Sequence, residues 1–239
     1  MDRTDYMYAL RRDGARLAEA AAGHLAAPVP SCPEWTVADL VGHTGAVHRF
    51  WTAVGSGELT DPSGYAPLPR PAEDGLIEWF TEGLELCAAT LETLDPELPR
   101  WTWSDRKDVG FIQRRMAQEQ AVHTWDGLAA AGRDEPVEPA LAADGVDEFL
   151  AHFARAKETA GLPEAGLHLH ATDGPGEWWI RPADGGWRVD REHGKGAVAV
   201  RGTRSDLLLL LWRRRGADQL ETFGDLAVLE DFLSAFSRG

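Results

Sequence analysis

Glu119 and His123 stand one helical turn apart in the segment 117–126, and this pair restricts the folding of the chain more than any other feature. Residues four apart on a helix project from one face. Helical phase over 110–131 puts Ile112, Met116, Glu119, His123 and Asp126 on a single stripe, the one that faces the interior. A carboxylate there is costly to bury without a partner. The face therefore either opens onto a cleft or holds a compensating cation. A helix of this kind needs other helices gathered around a polar patch, and the chain must supply them.

It does so over its first 160 residues. A helix is predicted over 2–22, with Tyr6, Leu10, Leu17 and Ala21 inward. Pro28, Pro30 and Pro33 then break the chain. Thr36 opens a second helix, with Asp39 three residues on as a capping-box partner. Its stripe is Leu40, His43, Val47 and Trp51, which turns His43 toward the core. After a proline-rich loop over 60–72, a third helix spans 73–94 with Leu76, Phe80, Leu84, Cys87 and Leu91 inward. The fourth covers 110–131 and a fifth is expected over 140–160, carried by Leu141, Val146, Phe149, Leu150 and Phe153. Beyond Gly161 the period shortens to alternating segments at 167–171, 178–181, 186–189 and 197–200, read as strands. Helices over 205–214 and 225–236 close the chain. The expected fold class is α+β: a helical bundle over 1–160 followed by a small α+β domain over 161–239.

Composition removes several classes of function. A net charge of −15 opposes nucleic-acid binding, which needs a basic footprint. The longest apolar run, 207–212, is far too short to span a membrane. Asp2, Arg3, Asp5, Arg11, Arg12 and Asp13 interrupt the N-terminal stretch, so no signal peptide is expected. Cys32 and Cys87 cannot staple 239 residues and are expected as reduced thiols in the cytoplasm.

The run Pro30-Ser31-Cys32-Pro33-Glu34-Trp35-Thr36-Val37-Ala38-Asp39-Leu40-Val41-Gly42-His43 resembles the opening signature of the mycothiol-dependent maleylpyruvate isomerase family, whose N-terminal domain is a DinB-like metal-binding four-helix bundle. Glu119 and His123 followed by Trp125-Asp126 resemble its second metal motif. Leu209-Leu210-Leu211-Trp212 and Phe223-Gly224-Asp225 resemble elements of its sterol-carrier-protein-like C-terminal domain. The likeness runs through nearly the whole chain in the right order. It implies that His43, Glu119 and His123 are zinc ligands and that mycothiol is the thiol cofactor. A zinc held by two imidazoles and a carboxylate keeps a position open. A thiol entering it loses its proton more readily. The resulting thiolate adds to a conjugated carbon, the former double bond rotates, and elimination returns the trans alkene. An adduct that departs makes the same site an S-transferase. The expected partners are a small thiol and a small electrophilic, unsaturated acid-like substrate, on a monomer or small homo-oligomer. Two other classes stay open: a metal-dependent hydrolase on the same bundle, and a non-enzymatic binding module.

Other residues carry two readings each. Arg213, Arg214 and Arg215 either complement a helix C-terminus or grip a carboxylate of substrate or cofactor. His48 lies about 140° from His43 around the helix and is read as structural. His168 and His170 share one strand face, but with no third ligand apparent they are read as a solvated pair; His24, His152 and His193 stand alone. Trp101, Trp103 and Trp125 are candidates to wall a pocket. Without the family likeness, Glu119 and His123 reduce to a helix-surface ion pair and His43 to a core histidine.

Overall fold

The computed structural model describes residues 1–154, 162–183 and 186–235. It divides into two compact units, Met1–Glu135 and Pro136–Gly239.

The first unit is built from four helices: α1 (Arg3–Ala21), α2 (Val37–Ser56), α3 (Glu73–Thr93) and α4 (Val109–Ala130). α1 packs on α4 and α3, and α2 packs on α3 and α4. The predicted inward residues of α1 and α3 are buried, and they form the apolar core with Val37, Leu40, Ile112 and Met116. The capping box at Thr36 is present: its hydroxyl accepts from the Asp39 amide, and the Asp39 carboxylate accepts from the Thr36 amide. Between α1 and α2 the prolines do more than break the chain. They frame an antiparallel hairpin of β1 (Pro28–Val29) and β2 (Cys32–Thr36). That hairpin was not expected, because its strands are too short to show alternation.

In α2 the structure corrects the assignment of the core-facing histidine. His48 is fully buried against Phe80, and burial drives its pKa down to about 3, so it is neutral. His43 is partly exposed instead.

The second unit begins with α5 (Pro139–Glu148) and a π turn over Phe149–Phe153. α5 packs on α6 (Arg204–Leu211), so the helix expected to close the first domain belongs to the second unit; its expected end over 155–160 lies outside the described residues. A five-stranded sheet follows in the order β5-β4-β3-β6-β7. Its strands are β3 (Leu167–Ala171), β4 (Glu177–Ala183), β5 (Gly186–Asp190), β6 (Val198–Gly202) and β7 (Glu221–Gly224), with α7 (Leu226–Ser234) after them. Among the described residues, only β3 and β6 pair in parallel. Register decides the two faces. Leu169 lies between Trp178 and Val200, and Leu167 between Ile180 and Val198, all six buried on the face that takes the helices. His168, His170, Glu177, Trp179 and Arg201 fall on the other face.

Gly166 enters β3 at φ 68, and a Cβ there would lie 2.0 Å from the Ile180 carbonyl oxygen. The left-handed conformation alone costs a branched centre about 1–2 kcal/mol, and the backbone contact adds overpacking. Gly166→Ala is expected to lose about 3 kcal/mol of the second unit's stability. Denaturant unfolding monitored by tryptophan fluorescence measures this, and a loss below about 0.5 kcal/mol would remove the argument.

Candidate metal centre

α4 carries Glu119 and His123 one turn apart, and the packing of α2 against α4 brings His43 to them. His43 Nε2 lies 3.4 Å from Glu119 Oε1, and His123 Nε2 lies 3.2 Å from the same oxygen. The two imidazole rings meet edge to face at 5.2 Å. One ligand atom from each of the three residues falls within 4.8 Å of the others.

These separations fit the ligand spacing of a divalent ion and are long for charge-assisted hydrogen bonds. A charge-assisted N–H···O⁻ contact closes to about 2.7–2.9 Å. Tetrahedral zinc with bonds of about 2.0–2.1 Å sets its ligand atoms about 3.3 Å apart. The 3.4 and 3.2 Å edges match the second figure.

The surroundings hold each ligand in place. Arg115, almost fully buried, donates to Glu119 Oε2 at 2.8 Å, which leaves Oε1 for the two imidazoles. His123 Nδ1 contacts Asp126 Oδ2 at 2.9 Å, and Ser31 Oγ donates to Asp126 Oδ1 at 2.5 Å. A carboxylate on the far nitrogen of a ligating histidine fixes its tautomer and raises its basicity. Trp35 lies against both rings, 4.9 Å from His43 and 6.4 Å from His123. The unexpected hairpin and the turn within it therefore supply two of the supports, Trp35 and Ser31. Exposure grades across the site: the side chain of His123 is 7% exposed, that of Glu119 21% and that of His43 38%. The site opens on the His43 side.

Burial opposes the charge on His123, but Glu119 and Asp126 outweigh it and lift its pKa to about 9. Glu119 is held well below the ordinary carboxylate range, burial being overcome by His123, His43 and Arg115. The metal-free protein thus carries a protonated His123 between two carboxylates. A histidine raised in the folded state stabilises it fully below its ordinary value near 6.5, and loses that contribution as pH rises through about 9. Glu119 acts in the opposite direction, its contribution fading only in acid. In chelator, the stability of the first unit is expected to fall by about 3 kcal/mol between pH ~6.5 and pH ~9.5. A zinc ion in place of the proton removes this slope. Melting temperatures across the range, with and without zinc, check it, and a flat metal-free profile contradicts it.

Of the residues singled out from sequence, His43, Glu119 and His123 come together. Asp126 lies on the α4 stripe, and its spacing of three from His123 is the sequence signal for its contact with the ring. Arg115, four residues before Glu119, was legible in the same way. Ser31 and Trp35 were quoted in the motif, but nothing in their spacing announced a contact with α4. The three tryptophans considered for a pocket wall each have an aromatic or hydrogen-bond partner. Trp101 stacks on Trp51, Trp103 meets Phe111 edge to face, and Trp125 is buried with its indole nitrogen on Asp134. Cys87 is buried with its thiol pushed up to about 12, which rules it out as a nucleophile at neutral pH. The arginine cluster ends α6 in the second unit. The amides of Arg213, Arg214 and Arg215 close the helix on the Leu209 and Leu210 carbonyls. Arg215 pairs with Asp206 at 2.9 Å, Arg214 donates to the Trp212 carbonyl, and Arg213, at φ 58, donates to the Leu233 carbonyl. The Arg214 contact, on a carbonyl at the helix end, is of the kind the helix-terminus reading describes.

Family comparison agrees with this architecture. Residues 7–126 match the mycothiol maleylpyruvate isomerase N-terminal domain, and residues 140–231 match the C-terminal domain of the same family. No curated protein sequence matches the chain. The fold is similar to the crystal structure of a mycothiol-dependent maleylpyruvate isomerase, with TM-score 0.63 and 12% identity over 93% of each chain. It is also similar to that of a histidine-to-alanine mutant, with TM-score 0.62 and 11% identity over 93% of each chain. Two family models that together span most of the chain, in the order bundle then sheet, place this protein in the mycothiol-dependent maleylpyruvate isomerase family.

Proposed function

We propose that the protein is a zinc-dependent, mycothiol-using isomerase or S-transferase acting on a small unsaturated acid-like electrophile. The observation that carries this reading is the convergence of His43, Glu119 and His123, with the two nitrogen–oxygen edges at the length of a zinc tetrahedron and His43 partly exposed. When bound, the metal and thiol together supply a thiolate nucleophile at neutral pH. The chain's own residues then do the positioning. Arg115 holds one oxygen of Glu119 so that the carboxylate offers a single donor. Asp126 keeps Nε2 of His123 directed at the site by occupying Nδ1. Trp35 covers both rings and limits water on that side, while the half-exposed edge of His43 leaves the approach for a ligand. Among the described residues no helix is long and apolar enough to cross a membrane, and neither Cys32 nor Cys87 is in a disulfide, which suits a reducing cytoplasm.

The test is turnover of a panel of cis-unsaturated acids and other electrophiles by zinc-loaded protein, with and without mycothiol. Thiol-dependent turnover is expected, together with thiolate absorbance in the near ultraviolet on mixing at neutral pH, well below the free thiol pKa of about 8.5. Both signals are expected to vanish in His43→Ala. Thiol-independent hydrolysis of an ester or amide, with no thiolate signal, would replace this reading with a metal-dependent hydrolase. Zinc retention without any turnover or thiol binding would point to a binding module.

A further inference from the structure

The sheet of the second unit carries another cluster of metal-ligating side chains, formed by His168, His170, Glu177 and His193. Their ligand atoms lie within 4.8 Å of one another. The sequence reading left His168 and His170 without a third ligand and His193 alone. Strand register corrects it. Glu177 in β4 is the direct cross-strand partner of His170 in β3, and alternation puts His168 on the same face. His193 comes from the loop between β5 and β6. Its neighbour Gly194 is buried so closely on Trp179 that a Cβ would lie 2.1 Å from the indole, which seats the loop beside the sheet.

The contacts centre on one carboxylate. His168 Nε2 is 2.5 Å from Glu177 Oε2, His170 Nδ1 is 2.7 Å from Oε1, and His193 Nδ1 is 3.7 Å from Oε1. The rings of His168 and His193 meet edge to face at 4.9 Å. His168 and His170 each engage one oxygen of Glu177, and His193 at 3.7 Å stands beyond hydrogen-bond distance, so hydrogen bonding to the carboxylate does not account for the third imidazole. Three imidazoles and one carboxylate do match the donor set of a borderline divalent ion. Arg201, opposite His170 on the parallel side, is paired with Glu221 at 3.0 Å, so its charge is partly compensated.

We propose that His168, His170, Glu177 and His193 form a second divalent-metal site, for zinc or a similar ion, that ties β3, β4 and the β5–β6 loop together. Four protein ligands fill a tetrahedral shell, so the site is structural, unlike the open centre in the helical unit. Three of the four ligands stand on paired strands and are pre-organised; His193, with its side chain 79% exposed, closes the site from the loop. Bonds of about 2.0–2.1 Å put ligand atoms about 3.3 Å apart, so His168 and His170, hydrogen-bonded to Glu177 in the metal-free protein, draw back by about 0.6–0.8 Å and give up a proton each to admit the ion.

The test uses the full-length chain in the His123→Ala background, which removes a ligand of the helical site and keeps the two assignments distinguishable. Cobalt(II) and zinc(II) are titrated after chelation. About one ion per chain is expected, with the intense visible bands of tetrahedral cobalt and a rise in melting temperature on zinc addition. His193→Ala, an exposed loop change that leaves the sheet intact, is expected to weaken zinc binding at least about tenfold and to shift the cobalt spectrum, and His170→Ala to do the same. Circular dichroism confirms folding of each variant. Zinc and cobalt binding unaffected by both substitutions, or no tetrahedral cobalt band in the His123→Ala background, would overturn the proposal.

Discussion

His123→Ala is expected to lose one bound zinc per chain relative to the parent and to lose thiol-dependent turnover by at least about 100-fold. The expectation follows from geometry and charge together. Removing the imidazole deletes one of the three proposed ligands, and it also leaves Asp126 buried without the ring it faces. Metal analysis of the purified variant, with steady-state turnover in the presence of mycothiol, reads both effects. Unchanged zinc content would show that the ion is held elsewhere. Lost zinc with unchanged turnover would show that the metal is not part of the reaction. Each result separates the ligand assignment from the functional one.

Asp126→Asn tests the support of that ligand without touching the ligand itself. Asp126 is fully buried, accepts from Ser31 and faces Nδ1 of His123. The amide matches the carboxylate in size but offers an N–H₂ group where an acceptor is needed. The ring then loses the partner that fixes its tautomer, and its Nε2 becomes less basic. Zinc affinity is expected to weaken by about 10–100-fold while the fold is retained. The metal-free variant is also expected to show a smaller alkaline loss of stability than the parent, because one of the two carboxylates that raise His123 is gone. Competition against a chelator of known affinity measures the first effect. An affinity equal to the parent's would show that Asp126 is a packing residue only.

Helical phase was enough to identify α1 through α4, the buried stripes of α1 and α3 and the pairing of Glu119 with His123, because a repeat of 3.6 residues and a capping box at Thr36 are local properties of the chain. The change from helical to alternating pattern beyond Gly161 likewise marked the sheet. Local pattern did not decide which α2 histidine is buried. His43 and His48 are separated by packing against Phe80 and α4, which the stripe of α2 alone does not contain. Nor did it place α5, whose apolar face suits either unit and packs on α6. The supports of the metal centre, Ser31 and Trp35, lie 95 residues or a comparable stretch from their partners on α4. They meet them only because a two-strand hairpin too short to read as strands turns them inward. The second histidine cluster shows the same limit. The spacing of His168 and His170 was visible, but Glu177 and His193 join them through cross-strand register and a loop seated on Trp179. What the sequence determined by itself were the elements and the Glu119–His123 pair within one helix, where periodicity sets the geometry. The tertiary structure alone decided which distant side chains meet at each cluster, because contacts between elements depend on register and packing that local periodicity does not encode.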